Sequence, residues 1–181
     1  LAWMRCMSDL LDRLASVVGE GNVLTGALPE YNQGARRDHG KALCVVRPSS
    51  TPEVQAVVAI CNSAGARIVP QAGNTGLVGA STPAGDGLEV VLSVSRLRQP
   101  VVVDRINRSA TVSAGLRLSE VNAALLLDGL TLPIDLGADP MIGGMIAANT
   151  GGARFVRYGD MRRAVMGLEV VLPDTDGTVL N

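Results

Sequence analysis

The stretch Arg67-Ile-Val-Pro-Gln-Ala-Gly-Asn-Thr-Gly-Leu-Val-Gly-Ala-Ser81 decides how the rest of the chain is interpreted. It starts as a short apolar strand, Arg67 to Pro70, and runs into a turn with glycine at positions 73, 76 and 79. Glycine tolerates positive φ angles and lets a ligand approach the backbone closely. Successive amides in such a turn can converge on an anion, so a phosphate or pyrophosphate is the expected guest. The turn contains no Lys or Arg, so backbone amides would do most of the binding.

Two common phosphate motifs do not fit this turn. A P-loop ends in Gly-Lys-Ser/Thr, which is absent here. A Rossmann turn reads G-x-G-x-x-G and opens a helix, whereas this turn has G-x-x-G-x-x-G spacing. It also leads, past Pro83, into another apolar strand, Leu88 to Val94. Taken alone, the turn fits an anion site and a plain glycine-rich surface loop equally well.

A second stretch changes this balance. It reads Pro133-Ile-Asp-Leu-Gly-Ala-Asp-Pro-Met-Ile-Gly-Gly-Met-Ile-Ala-Ala-Asn-Thr-Gly-Gly152 and continues as Ala-Arg-Phe-Val-Arg-Tyr-Gly159. Together the two stretches resemble the flavin-binding half of the vanillyl-alcohol-oxidase/p-cresol-methylhydroxylase superfamily, closest to its D-2-hydroxyacid dehydrogenases. The loops of that branch read like P-R-G-G-N-T-G-L-V-G-G-S and L-P-x-D-L-G…I-G-G-N-x-A-T-N-A-G-G…R-Y-G. The resemblance runs from about Pro48 to Val179 and includes the order and separation of the loops.

The resemblance implies an α+β fold, the PCMH-type FAD-binding domain, with FAD lying between two small α/β lobes. We expect lobe one over about residues 7–82 and lobe two over about 83–181, with the C-terminal substrate domain absent. The implied activity of the parent enzyme is oxidation of a D-2-hydroxyacid of the D-lactate, D-2-hydroxyglutarate or glycolate type to the 2-ketoacid. Hydride would pass from substrate C2 to flavin N5, and a separate acceptor would then take the electrons.

Cofactor-binding residues are carried over from the family's loops position by position. In the first loop they are Ala72, Gly73, Asn74, Thr75, Gly76, Leu77, Ala80 and Ser81. In the second they are Pro133, Asp135, Gly137, Ala138, Ile142, Gly143, Gly144, Ala147, Asn149 and Gly152. Neither loop contains His or Cys, so FAD should be held non-covalently. The resemblance assigns no catalytic residue and no metal ligand within this chain.

Several of these residues also have a purely structural interpretation. Gly143 and Gly144 open a short helix whose amides suit a phosphate, or they simply allow tight packing. Asp135 and Asp139 fit turn and cap chemistry as well as a cofactor role. Arg154 and Arg157 are interpreted as surface ion pairs in preference to contacts with the flavin or an acidic substrate.

Two residues depart from the family pattern, and two other functions remain open. Gln71 stands where Arg is common, and Ala72 stands where Gly is common. Losing the Arg removes a charge-assisted contact but leaves the backbone amides in place. The same flavin domain could serve alditol oxidation or ether-lipid synthesis, or this chain could be a non-catalytic FAD-binding fragment.

Composition narrows the function classes. Hydrophobic residues make up 47% and aromatic residues 2% of the chain, so the core must consist of Val, Leu, Ile and Ala. The net charge of −1 and dispersed basic residues argue against nucleic-acid binding. Cys6, Cys44 and Cys61 form no C-x-x-C, which favours a reducing cytoplasm over a disulfide framework or a zinc site. The sequence contains no run of 18 apolar residues, so no transmembrane helix is predicted. The parent protein could still associate peripherally with a membrane.

Periodicity and turn residues predict the elements. The predicted helices are 8–18, 51–64, 117–128 and 142–148; the predicted strands are 42–47, 67–70, 88–94 and 165–173, a hairpin of 101–106 with 110–113, and a returning strand from 178. The segment 30–40 is predicted as a loop with a solvated His39. Because the sequence stops mid-hairpin, we expect a fragment that is inactive alone, holds FAD weakly and self-associates through exposed apolar surface.

Overall fold

Four strands in the first half of the chain form the sheet from which the first glycine loop leaves. The computed structural model describes residues 2–36 and 39–181, with side chains from residue 7 onward. The sheet runs in the order β1-β2-β4-β3. Its strands are β1 (Val23–Leu24), β2 (Ala42–Val46), β3 (Arg67–Gln71) and β4 (Glu89–Ser93). Strand β4 pairs in parallel with both β2 and β3, and β1 pairs antiparallel to β2.

Alternation of side chains along these strands gives the sheet two buried faces. One face carries Cys44 and Val90 and packs against α1 (Ala2–Val18) and α3 (Thr51–Ser63). The other face carries Val45 and Val91 and packs against the segment around α2 (Pro29–Asn32). Burial on both faces explains why these strands are continuous apolar runs.

The second half of the chain builds a separate core on four helices. The elements are the hairpin β5 (Val102–Asp104) and β6 (Ser109–Thr111), the helices α4 (Leu118–Leu126), α5 (Ile142–Ala147), α6 (Phe155–Tyr158) and α7 (Met161–Ala164), and the hairpin β7 (Val170–Val171) and β8 (Val179–Leu180). The core is made by Leu116, Leu118, Val121, Leu125, Ile134, Ile142, Met145 and Met161. The predicted α+β architecture is thus confirmed.

Three details differ from the sequence-based expectations. Strand β4 lies between β2 and β3, whereas the expected lobe boundary near residue 82 would assign it to the second lobe; that boundary stays a prediction. The predicted strand 165–173 shrinks to β7, because β8 pairs only with Val170 and Val171. The predicted loop 30–40 begins inside α2, and the first helix starts at Ala2 instead of Ser8.

The C-terminal hairpin packs back onto the first lobe. The side-chain amide of Gln55 on α3 donates to the carbonyl of Gly177 at 3.1 Å. Gly177 has a φ of 62°, and a β-carbon there would lie 2.8 Å from the Gln55 carbonyl oxygen. The residues after α7 therefore connect the two lobes. Among the residues that the structure describes, no helix is both long and apolar enough to cross a membrane.

Cys44 and Cys61 are structural thiols in the core between the sheet and α3. Burial, and secondarily the neighbouring Cys61, raises the pKa of Cys44 from 9.0 to about 12. Burial raises the pKa of Cys61 to about 11, although the positive charge of Arg13 acts in the opposite direction. Because both folded-state pKa values lie above 9.0, the stability contributed by the neutral thiols is complete below pH 9.0 and disappears as the pH rises through about 11 and 12.

We therefore expect both thiols to resist alkylation in the folded chain. At pH 8 the rate for each should be at least about a hundredfold below its rate in urea, since the thiolate is the reactive species and both groups are buried. The rate should keep rising with pH past 9.0. Peptide mapping by mass spectrometry after timed labelling measures each thiol separately, and equal rates with and without urea would contradict the assignment.

Candidate functional site

The first glycine loop leaves the sheet at the edge where the parallel strands end. Strands β2, β3 and β4 run in the same direction, so their carboxyl ends share one edge. Residues 72–81 follow directly from Gln71, the last residue of β3. In sheets of parallel strands, ligands bind in the crevice outside this edge. The loop is therefore at the expected position for a cofactor.

The loop presents a run of unpartnered backbone donors. Within the part of the chain that the structure describes, no acceptor takes a hydrogen bond from the amides of residues 73–78. A β-carbon at Gly76 would meet nothing within 4 Å. Thr75 to Ala80 are exposed, and Asn74 has a φ of 51°. Consecutive free amides next to open space are suited to bind an anion.

The second glycine region packs directly against this loop. A β-carbon at Gly73 would lie 3.4 Å from the Met141 amide nitrogen, and one at Gly144 would lie 3.1 Å from the Cβ of Ala72. A β-carbon at Gly143 would lie 2.9 Å from the Cβ of Ala114. The absence of side chains at Gly73 and Gly144 lets the two predicted cofactor loops meet, and the absence of one at Gly143 lets α5 pack against Ala114. These contacts support tight packing at the paired glycines, and their cofactor role stays a prediction.

At the start of α5 the amides of Ile142 and Gly143 are bonded within the protein, whereas the Gly144 amide has no hydrogen-bond partner among the described residues. The amides of Ile142 and Gly143 donate to the carbonyls of Leu116 and Ala114, each at 2.9 Å. The side chain of Ile142 is buried in the second core. An antiparallel contact with residues 114–116 uses the Gly143 amide, so the predicted phosphate contact at this helix start stays a prediction that would fall to the Gly144 amide. Ile142 and Gly143 fix the position of α5 against the rest of the lobe.

Polar side chains of the second region are also engaged within the protein. The Nδ2 of Asn149 donates to Asp160 at 2.9 Å, and its Oδ1 accepts from the Arg162 amide at 2.9 Å. The carboxylate of Asp135 pairs with Arg154 at 3.3 Å. Gly152, with a φ of 106°, would place a β-carbon 2.5 Å from the Asp135 carbonyl oxygen. These contacts hold the chain around α6 and α7, so a cofactor role for the Asn149 amide group or the Asp135 carboxylate would have to displace them.

Asp139 is a helix cap. Its carboxylate accepts from the Ser119 amide at 2.9 Å and from the Ser119 hydroxyl at 2.7 Å in the first turn of α4. Both bonds lower the pKa of Asp139 below its ordinary value, and the bond from the Ser119 hydroxyl has the larger effect. Of the two interpretations left open by the sequence, the geometry supports the cap.

The two arginines of the second region have surface partners. Arg154 pairs with Asp135, and the guanidinium of Arg157 lies 5.1 Å from the ring centre of Tyr158. Both arginines line an open concavity of about 380 Å³ together with Val156. Another concavity, of about 490 Å³, lies at the turn between β5 and β6, and none of the predicted site residues lines it. The structural interpretation of these arginines is supported.

The remaining predicted site residues differ in exposure. Those on the surface are Thr75, Leu77, Ala80, Gly137, Ala138 and Ala147, whereas Pro133 is half-buried. The sequence marked Gln71 only as a departure from the family pattern, and its role in holding the loop is visible in the structure. Gln71 is only 2% exposed, and its Nε2 donates to the carbonyls of Tyr31 at 2.9 Å and Ser81 at 2.7 Å. A polar residue directly after the apolar residues 68–70 was the signal available in the sequence.

Comparisons with known proteins agree with this geometry. A family model described as FAD binding domain matches residues 42–181. A protein of Oryza sativa subsp. indica, named probable D-2-hydroxyglutarate dehydrogenase, mitochondrial, is 42% identical over 144 residues, covering 78% of this chain and 25% of that protein. A Schizosaccharomyces pombe protein with the provisional name of mitochondrial D-lactate dehydrogenase is 34% identical over 178 residues, covering 92% of this chain and 33% of that protein.

A solved structure extends the comparison to three dimensions. An alkyldihydroxyacetonephosphate synthase superposes with a TM-score of 0.84 at 21% identity, over 96% of this chain and 35% of that chain. At this identity the likeness shows the fold alone. The chain spans about a quarter to a third of the length of the two sequence relatives.

Proposed function

The chain belongs to the FAD binding domain family, and from this premise we propose that it holds FAD in an enzyme that oxidises a D-2-hydroxyacid to the 2-ketoacid. The family match confirms the resemblance inferred from the two glycine stretches, and with it FAD as the cofactor. The observation that carries the proposal is the run of amides at residues 73–78 that find no acceptor among the described residues, next to the second glycine region.

The residues present fit this cofactor. A pyrophosphate needs several donors, and the first loop supplies backbone amides without a competing carboxylate of its own. Gly76 has open space beside it, so a ligand can approach the backbone. When bound, FAD supplies the two-electron acceptor that receives hydride at flavin N5. The protein's part is to bind and orient the cofactor, and non-covalent attachment follows from the absence of His and Cys in both loops.

The substrate class is inferred from the sequence relatives. The names of the two relatives specify D-2-hydroxyglutarate and D-lactate, both D-2-hydroxyacids. We therefore favour this class, with a separate electron acceptor, over the alditol and ether-lipid alternatives. The alkyldihydroxyacetonephosphate synthase structure supports the ether-lipid alternative only through its fold. Catalytic groups and substrate ligands are proposed to lie outside this chain.

We also propose that the protein resides in a reducing compartment and that the chain alone self-associates. Buried neutral thiols at Cys44 and Cys61 favour a reducing environment, and we keep the cytoplasm as the predicted one. The names of both relatives include the mitochondrion, which is also compatible with reduced thiols. Exposed apolar side chains such as Val156 and Met166 favour self-association of the chain alone.

Anaerobic reduction of the flavin tests the substrate class. Adding D-2-hydroxyglutarate or D-lactate to the full-length parent should bleach its flavin absorbance near ~450 nm, and the L-enantiomers should not. The FAD-loaded 181-residue chain should show no bleaching, because we place the proton-accepting group outside it. Bleaching of the short chain, or a full-length flavin that no D-2-hydroxyacid reduces, would contradict the proposal.

A further inference from the structure

Two polar side chains of the first glycine loop, those of Asn74 and Ser81, form hydrogen bonds within the protein. Ser81 donates its hydroxyl to the Oδ1 of Asn74 at 2.9 Å. The Nδ2 of Asn74 donates to the carbonyl of Gln33 at 2.8 Å and lies 3.4 Å from that of Glu30. Gln71 joins the two ends of the loop through the Ser81 carbonyl. The bonds of Ser81 join parts of the loop to each other, and the bonds of Asn74 to Gln33 and of Gln71 to the Tyr31 carbonyl attach the loop to the segment 29–33.

That segment is itself firmly attached to the sheet. Asn32 on α2 accepts from the Ala42 amide at 2.8 Å, and its carbonyl accepts from the Gly40 amide at 2.8 Å. Leu28, just before α2, is buried in the core on the face of the sheet that carries Val45 and Val91. The loop is therefore bonded to a support that belongs to the first lobe and is fixed by β2.

We propose that Gln71, Asn74 and Ser81 are positioning residues. Together with α2, which supports them, they keep the glycine loop ordered in its binding conformation when no cofactor is bound. The loop amides have no partners within the described residues, so their orientation has to be fixed by contacts made elsewhere. Asn74 adopts positive φ, which a non-glycine residue sustains when its side chain is bonded locally. A site held in its binding shape loses less conformational entropy when the ligand binds. The consequence for FAD affinity rests on the proposed function, whereas the order of the free loop does not.

NMR relaxation of the ligand-free chain tests the loop order directly. In the wild type the amides of residues 73–78 should have order parameters near the ~0.85 of rigid backbone, and Ser81→Ala and Asn74→Gly should lower them toward ~0.6. Ser81→Thr keeps the donor and should retain the order. Ser16→Ala is the matched control, because the Ser16 hydroxyl bonds to the Arg13 carbonyl at 2.7 Å far from the loop. Unchanged order in both loop variants, or a wild-type loop that is already disordered, would overturn the proposal.

FAD titration supplies the second readout. Ser81→Ala and Asn74→Gly should each weaken binding about fivefold, the size of one hydrogen bond, with Ser81→Thr close to wild type. Failure of the wild-type chain to bind FAD would contradict the proposed function and leave the relaxation data to decide the role of the positioning residues. Loss of loop order without any loss of FAD affinity would contradict the link between them.

Discussion

Replacing Gly76 with aspartate is expected to weaken FAD binding about tenfold to a hundredfold while the chain stays folded. A β-carbon at Gly76 meets no protein atom within 4 Å, so the fold has room for the new side chain. A carboxylate among the amides of residues 73–78 would repel the pyrophosphate that those amides are proposed to bind. Because the loop is exposed, water and salt screen this repulsion. The expected loss of FAD affinity is therefore well below the loss that a buried pair of like charges would cause.

Gly76→Asn is the matched control for this substitution. It adds a side chain of nearly the same size without the charge, so the difference between the two variants isolates the electrostatic effect. Titration of FAD by fluorescence quenching at low and high salt measures it, and the gap between the variants should narrow as salt rises. Equal affinities of the two variants at low salt would show that residues 73–78 do not bind the anionic part of FAD.

Replacing Gly115 with alanine is expected to reduce the free energy of unfolding by about 3 kcal/mol or more. Gly115 is buried where the second lobe meets the chain leaving β4, and its amide donates to the Leu97 carbonyl at 3.0 Å. A β-carbon at this position would overlap the carbonyl oxygen of Val94 and lie 2.7 Å from that of Leu97. Both obstacles are backbone atoms, so the contact between the lobes would have to open.

Gly167→Ala provides the control for Gly115→Ala. A β-carbon at Gly167 meets nothing within 4 Å, and the backbone there has no positive φ. Urea unfolding followed by circular dichroism should give wild-type stability for Gly167→Ala, within about 0.5 kcal/mol. A Gly115→Ala variant as stable as that control would contradict the described packing between the lobes.

The glycine loops and the elements that flank them could be predicted from sequence because their signals are local, whereas the contact between the loops is seen only in the structure. Strand β3, its glycine turn and the helix over residues 142–147 appear as consecutive residue patterns. Ala72 is an instructive case, since its methyl group lies beside Gly144, where a β-carbon would come within 3.1 Å of it. Alanine at this position is compatible with the contact between the loops.

The partners of individual donors could not be predicted, because they depend on contacts between distant segments. The amide of Gly143 bonds to Ala114, and the side chain of Asn149 bonds to Asp160. Insertion of β4 between β2 and β3 is likewise a matter of pairing and not of periodicity. Sequence patterns identified residues near the cofactor site, but they did not distinguish ligands from residues such as Gln71 that hold the loop.

Direct titration of the purified chain with FAD tests the central claim most directly. We predict saturable binding of one FAD per chain, seen as a perturbed flavin absorbance band near ~450 nm, with an affinity about tenfold to a hundredfold lower in Gly76→Asp but not in Gly76→Asn. Circular dichroism of the same sample establishes that the chain is folded. An unperturbed flavin spectrum at excess FAD, with a folded chain and with the same result for the full-length parent, would contradict the account.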